Sequence, residues 1–169
     1  MIVGGWQVNN ILSFVSGAPF TVTSAATSLN LPGSSQTADQ VVPAVRKIGA
    51  VGRTVSYFDP LSFRPVTEAR FGTAGLNSLR GPGIANWDFS VFRQFHVTER
   101  WRIEFRMEAF NFSNTPHFSN PAANVSNLSF NPDGTVRDLG GFSAITSTSS
   151  QARDGIDERQ FRLGIRIAF

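Results

Sequence analysis

His96 and His117 are the residues best suited to acid–base or metal chemistry in this chain, and neither stands in a pattern that would perform it. No carboxylate pair or HExxH spacing accompanies them, so each is expected in an ordinary polar role on a face or loop. Asp88, Ser90 and His96 supply the residue types of an orienting acid, a nucleophile and a base. On an extended strand, however, the step from Ser90 to His96 spans roughly 20 Å, which keeps hydroxyl and imidazole apart. Gly72, Gly75, Gly81 and Gly83 flank Asn77 and Pro82 and do not form a strand-to-helix phosphate loop. They read as turn residues. Asn131-Pro132-Asp133-Gly134 spells another turn, and Asp133 with Asp138 is a thin donor set for calcium. Asn124-Val125-Ser126 and Asn127-Leu128-Ser129 fit the glycosylation pattern, which a bacterial context would make idle. The expectation is a chain with no catalytic, cofactor or metal residues, and hence not an enzyme.

Composition narrows the classes further. The chain has 169 residues, 16 of them Phe, and only 16% are charged, against a usual ~25%. Ser, Thr and Asn outnumber the charged residues, a balance that suits strands and polar loops. The net charge of +3 comes from arginines scattered between Arg46 and Arg166 and partly interleaved with Glu. A nucleic-acid footprint would gather them into a stripe, so no nucleic-acid partner is expected. Cysteine is absent, which removes disulfides, thiolate metal sites and Cys nucleophiles together. No basic n-region followed by an apolar run opens the chain. No stretch approaches the roughly 18 apolar residues of a membrane helix.

The elements that would carry these residues announce themselves by a period of two. Near 5–15, Trp6, Val8, Asn10, Leu12 and Phe14 alternate with Gln7, Asn9, Ile11 and Ser13, with Asn10 and Ile11 as exceptions to the polarity. Near 86–97, Trp87, Phe89, Val91 and Phe95 alternate with Asp88, Ser90, Gln94 and His96, with Phe92 and Arg93 as exceptions. The cleanest case lies near 100–112, where Trp101, Ile103, Phe105, Met107 and Ala109 oppose Arg100, Arg102, Glu104, Arg106 and Glu108. A helix would scatter those apolar positions around its whole circumference. The last, near 158–169, sets Phe161, Leu163, Ile165, Ile167 and Phe169 against Gln160, Arg162, Gly164, Arg166 and Ala168. These segments match the ~9 to 11 residues of a membrane-spanning strand better than the ~5 to 6 of a soluble one.

The second and third segments meet in a tight turn, whereas long loops, 16–85 and 113–157, separate the other pairs. Short periplasmic turns alternating with long extracellular loops belong to outer-membrane barrels. With the C-terminus in the periplasm, the lone tight turn falls on the periplasmic side. Trp6, Phe95, Trp101 and Phe169 then mark one membrane interface and Phe14, Trp87 and Phe161 the other, as two aromatic girdles. Arg100, Arg102, Glu104, Arg106 and Glu108 should face the lumen, because a cation on the lipid face at mid-membrane costs about 2 to 4 kcal/mol. Arg93 is expected near the periplasmic interface, where it can snorkel. The fold class is therefore all-β, an antiparallel transmembrane β-barrel segment of about four long strands with two long extracellular loops. Four strands make an incomplete barrel, since the smallest membrane barrels have eight. The chain is accordingly expected to be the C-terminal part of a larger one, in contact with outer-membrane lipid and the remaining strands.

Several stretches carry a more specific likeness. Gly5-Trp6-Gln7-Val8, Ser16-Gly17-Ala18-Pro19-Phe20, Phe58-Asp59-Pro60, Gly75 through Gly83, Trp87-Asp88-Phe89-Ser90, Glu104 through Phe112 with Asn114, Pro116 and Phe118, and Arg159-Gln160-Phe161 resemble the C-terminal end of an Oar-like TonB-dependent receptor. Arg162, Gly164, Ile167 and Phe169 resemble the terminal signal read by the outer-membrane assembly machinery. The resemblance implies a barrel of about 22 strands filled by an N-terminal plug, located in the bacterial outer membrane and energised through a TonB-type transducer. The plug and the energy-coupling segment have no counterpart in these residues. The rival expectations are a soluble β-sandwich acting as a binding or adhesion module and a hydrolase built on the loops.

Overall fold

The computed structural model describes residues 4–29, 35–149 and 158–169; residues 1–3 and the stretches 30–34 and 150–157 of the two expected loops lie outside the described residues. In chain order the strands are β1 (Trp6–Val15), β2 (Pro19–Phe20), β3 (Thr23–Ala25), β4 (Ser35–Thr37), β5 (Asp39–Gln40), β6 (Phe63–Arg64), β7 (Leu79–Arg80), β8 (Ile84–His96), β9 (Arg102–Phe110), β10 (Ser129–Phe130), β11 (Val136–Asp138) and β12 (Gln160–Ala168). The chain divides into two compact units.

The first unit takes Met1–Val15, Ile84–His117 and Thr148–Phe169. Its sheet is antiparallel in the order β1-β8-β9-β12. All three pairings run without a bulge: Trp6 pairs with Arg93 through to Val15 with Ile84, Phe89 with Ala109 through to His96 with Arg102, and Gln160 with Phe110 through to Ala168 with Arg102. An unbroken register preserves side-chain parity from strand to strand. The four amphipathic segments therefore add up to one apolar and one polar face.

Each end of the β8–β9 pair is closed by local hydrogen bonds. In the hairpin, the Val97 and Thr98 amides donate to the Trp101 carbonyl at 3.0 and 3.4 Å, and the Trp101 amide donates to the Thr98 hydroxyl at 3.1 Å. This five-residue turn takes Arg100 and Trp101 out of the strand, so β9 begins at Arg102 rather than near 100. At the far end Asn111 sits at φ 46, a left-handed conformation that Asn tolerates better than most residues. Its amide donates to Asp88 Oδ1 at 2.8 Å, and its side chain exchanges two 3.0 Å bonds with the Thr115 backbone. His117 is buried, with Nε2 3.1 Å from the Ala85 carbonyl oxygen.

The second unit takes Ser16–Gly83 and Phe118–Ser147. These residues were expected as long loops, yet they enclose a packed core that includes Phe20, Val22, Tyr57, Phe58, Phe63 and Phe142. Phe58 is its centre, with ring centroids 5.9 Å from Phe20, 5.8 Å from Phe63 and 5.3 Å from Phe142. Short antiparallel pairs, β2–β7, β3–β4, β5–β6 and β10–β11, frame it. Gly17 and Gly81 allow a close backbone crossing: a Cβ on Gly17 would lie 1.9 Å from the Gly81 carbonyl oxygen. Asp59 caps the turn of Pro60–Ser62, accepting from the Leu61 amide at 3.0 Å.

Candidate functional site

Cross-strand partners in an antiparallel sheet share a face, so the register assigns the paired side chains of β1, β8, β9 and β12 to one face or the other. One face carries Trp6, Val8, Leu12 and Phe14 of β1, Trp87, Phe89, Val91 and Phe95 of β8, Ile103, Phe105 and Met107 of β9, and Phe161, Leu163, Ile165 and Ile167 of β12. Much of it lies open, with Leu163 at 72% and Phe14 at 77% exposure. Within this unit no second sheet covers it among the described residues, whereas a soluble sandwich would bury it.

The aromatic residues gather at the two ends. Trp101 packs on Phe169 with centroids 5.4 Å apart, just beyond the hairpin ends of β9 and β12. At the other end Trp87 meets Phe112 edge-on at 4.8 Å, with Phe89 5.4 Å from the same ring. Phe14 and Phe161 lie at that end of β1 and β12, whereas Trp6 and Phe95 lie at the hairpin end of β1 and β8.

The opposite face is ordered by charge. Glu108 stands between Ser90 and Arg162, Arg106 between Phe92 and Gly164, Glu104 between Gln94 and Arg166, and Arg102 between His96 and Ala168. Both carboxylates of β9 therefore oppose an arginine of β12, and both β9 arginines oppose a small residue. Opposite charges across a strand pair contribute about 0.2–1 kcal/mol each. Arg106 also binds Glu108 at 2.5 Å along its own strand, and the Gln94 amide donates to Glu104 Oε2 at 3.2 Å. The apolar surface on this face is used for stacking, with Arg106 4.9 Å from the Phe92 ring and Arg162 4.8 Å from that of Phe110. Arg100 belongs to neither face, because it lies in the hairpin turn. Gly164 is not required by packing: a Cβ there would find Arg106 Cβ at 3.9 Å, an ordinary contact.

The candidate chemical residues are otherwise engaged. Asp88 holds the Asn111 turn, His117 is buried in the same connection, and Ser90 and His96 stay six positions apart on one continuous strand. Among the described residues no group of His, Asp or Glu could hold a metal. In the second unit Asp133 accepts from the Thr135 hydroxyl and amide at 2.6 and 2.9 Å, and these bonds hold its carboxyl below the usual range. Arg70 grips Asp39 through two 2.7 Å bonds, which likewise lowers the Asp39 pKa.

Sequence reading placed Asn10 and Arg93 on their parities but missed their partners. Asn10 lies on the apolar face, where its side-chain oxygen accepts from the Trp87 indole at 3.1 Å. Arg93 is also there, 8% exposed, with its guanidinium against the Trp6 and Phe95 rings at the hairpin end. Its place as an exception within an alternating segment was the available signal.

A single antiparallel sheet with an open apolar face, aromatic ends and a charged reverse is the wall of a membrane β-barrel. The family comparison agrees: the outer membrane beta barrel domain family matches residues 1–162, and the chain belongs to that family. Its place is the bacterial outer membrane. No curated protein and no solved structure matches the chain.

Proposed function

We propose that the chain forms the C-terminal wall of an Oar-like TonB-dependent outer-membrane receptor, acting in uptake of an external ligand rather than in catalysis. The observation that carries this reading is the register of β1-β8-β9-β12, which sorts the side chains of four long strands into an apolar face and a charged face, as a wall between lipid and a polar lumen requires. The hairpin at 97–101 is its periplasmic turn. β1 and β12 each have one partner among the described residues, and open edges cannot stand in lipid. The remaining strands of the barrel cover them. Arg102, Glu104, Arg106 and Glu108 then meet a plug or a passing ligand. Arg162, Gly164, Ile167 and Phe169 act earlier, as the segment read by the assembly machinery. The packed core of the second unit supports a role in first contact with ligand, since it gives the long connections a defined surface.

The transducer would act on parts of the receptor other than these strands. Photocrosslinking in living cells between the full-length parent and a TonB-type protein tests the assignment. Cross-links that depend on the proton gradient are expected. A barrel correctly placed in the outer membrane that never cross-links to the transducer would overturn the energised-transport reading and leave a passive barrel.

A further inference from the structure

Arg93 is the one charged residue that the register places on the apolar face of the described strands, beside Trp6 of β1 and Phe105 of β9. Its guanidinium carbon lies 4.7 Å from the Trp6 ring centroid and 4.5 Å from that of Phe95. Such stacking suits arginine, whose cation is planar and weakly hydrated, and does not suit lysine. These contacts engage the cation through ring faces, and none of the side-chain hydrogen bonds among the described residues uses its N–H donors. Nε is buried without a hydrogen-bond partner, and the ion pairs among the described residues lie elsewhere. Nε is thus shielded from solvent, and among the described residues the guanidinium has no counter-ion.

We infer that Arg93, held by Trp6 and Phe95, binds the phosphate of a phospholipid at the hairpin end of the lipid face. The inference rests on the reading that this face meets lipid and that the hairpin is periplasmic. Position favours a headgroup as the acceptor. Arg93 is three residues from the end of β8, about 10 Å along the strand, and the strand tilt of barrels shortens this to about 8 Å of depth. That is where phosphates and the first acyl carbons meet. The phosphate oxygens match the planar donor edge, and Phe105, Val8 and Val91 offer an apolar path for the acyl chain below.

The test uses the full-length parent barrel, its tryptophans other than Trp6, Trp87 and Trp101 replaced by Phe, in detergent micelles doped with phosphatidylglycerol or with a galactosyl diacylglycerol of the same acyl chains and no phosphate. Native mass spectrometry reads lipid retention, and brominated forms of both lipids read contact through quenching of Trp6, Trp87 and Trp101. Retention of phosphatidylglycerol by the barrel with Arg93 intact about tenfold above the galactolipid is expected, a gap worth ~1.4 kcal/mol. Arg93→Gln should abolish the preference, and Arg93→Lys should keep only part of it. Equal retention of the two lipids by the barrel with Arg93 intact overturns the site without recourse to any Arg93 variant. So does displacement of the lipid by millimolar inorganic phosphate, which would make a free anion the ligand. Quenching by both lipids without a phosphate preference sinks the inference but leaves the lipid-facing wall standing. Absence of quenching by either sinks the wall itself.

Discussion

The Trp87 indole Nε1 donates to the Asn10 side-chain oxygen at 3.1 Å, diagonally across the β1–β8 pair. An amide on an otherwise apolar face would be costly without a partner, and the tryptophan that meets it belongs to the aromatic end of the sheet. Trp87→Phe should therefore destabilise the sheet by about 1–3 kcal/mol by stranding the Asn10 amide. Adding Asn10→Leu to Trp87→Phe should restore most of that loss, because removing both partners removes the penalty. A double-mutant cycle from urea unfolding in micelles measures the coupling, and strictly additive effects would refute it.

Phe58 contacts three other phenyl rings in the core of the second unit. Phe58→Ala should cost about 3–5 kcal/mol there, as expected for an aromatic removed from a packed interior. Limited proteolysis should detect faster cleavage in Ser16–Gly83, while the strands of the first unit keep their protection.

Two glycines make opposite predictions. Gly17→Ala drives a methyl into the Gly81 carbonyl and should cost at least the ~1–3 kcal/mol typical of overpacking. Gly164→Ala meets only an ordinary contact and should leave unfolding unchanged. If Gly164 and Phe169 serve assembly, then Gly164→Ala and Phe169→Ala in the parent protein should lower the amount of folded barrel in the outer membrane. Wild-type amounts in both would remove the assembly role.

Acid should loosen the second unit through Asp39. Arg70 holds the Asp39 pKa below its ordinary value, so the unfolded chain binds the proton more tightly. The stabilisation is complete above an ordinary carboxyl pKa of about 3.9 and disappears as pH falls through the lowered, folded value. Hydrogen exchange of residues 37–41 and 70–74 between pH 6 and pH 3 checks this. Asp39→Asn should flatten that dependence, and an unaltered profile in the variant would assign it to another group.

The long strands were legible because alternation is a local signal. Each residue of Trp101 through Ala109 declares its face by its own polarity, and no distant information is needed. The ends were less legible. Arg100 and Trp101 continue the alternation, but five residues are taken up in turning the chain, and the Thr98 and Trp101 hydrogen bonds hold them there. The core of the second unit was hidden for another reason. Phe20, Phe58, Phe63 and Phe142 are scattered along the chain on strands of two or three residues or between them, too short to show a period.

The sequence alone therefore determined an all-β wall with one apolar and one charged face, since a two-residue period has a single solution in an extended chain. Tertiary structure decided what each exceptional residue does. Arg93 and Asn10 break the pattern in the same way on paper, yet the register places Arg93 against two rings and Asn10 beneath an indole N–H. Those partners are settled by which strands align and at what offset, a property of paired chains that is absent from either segment by itself.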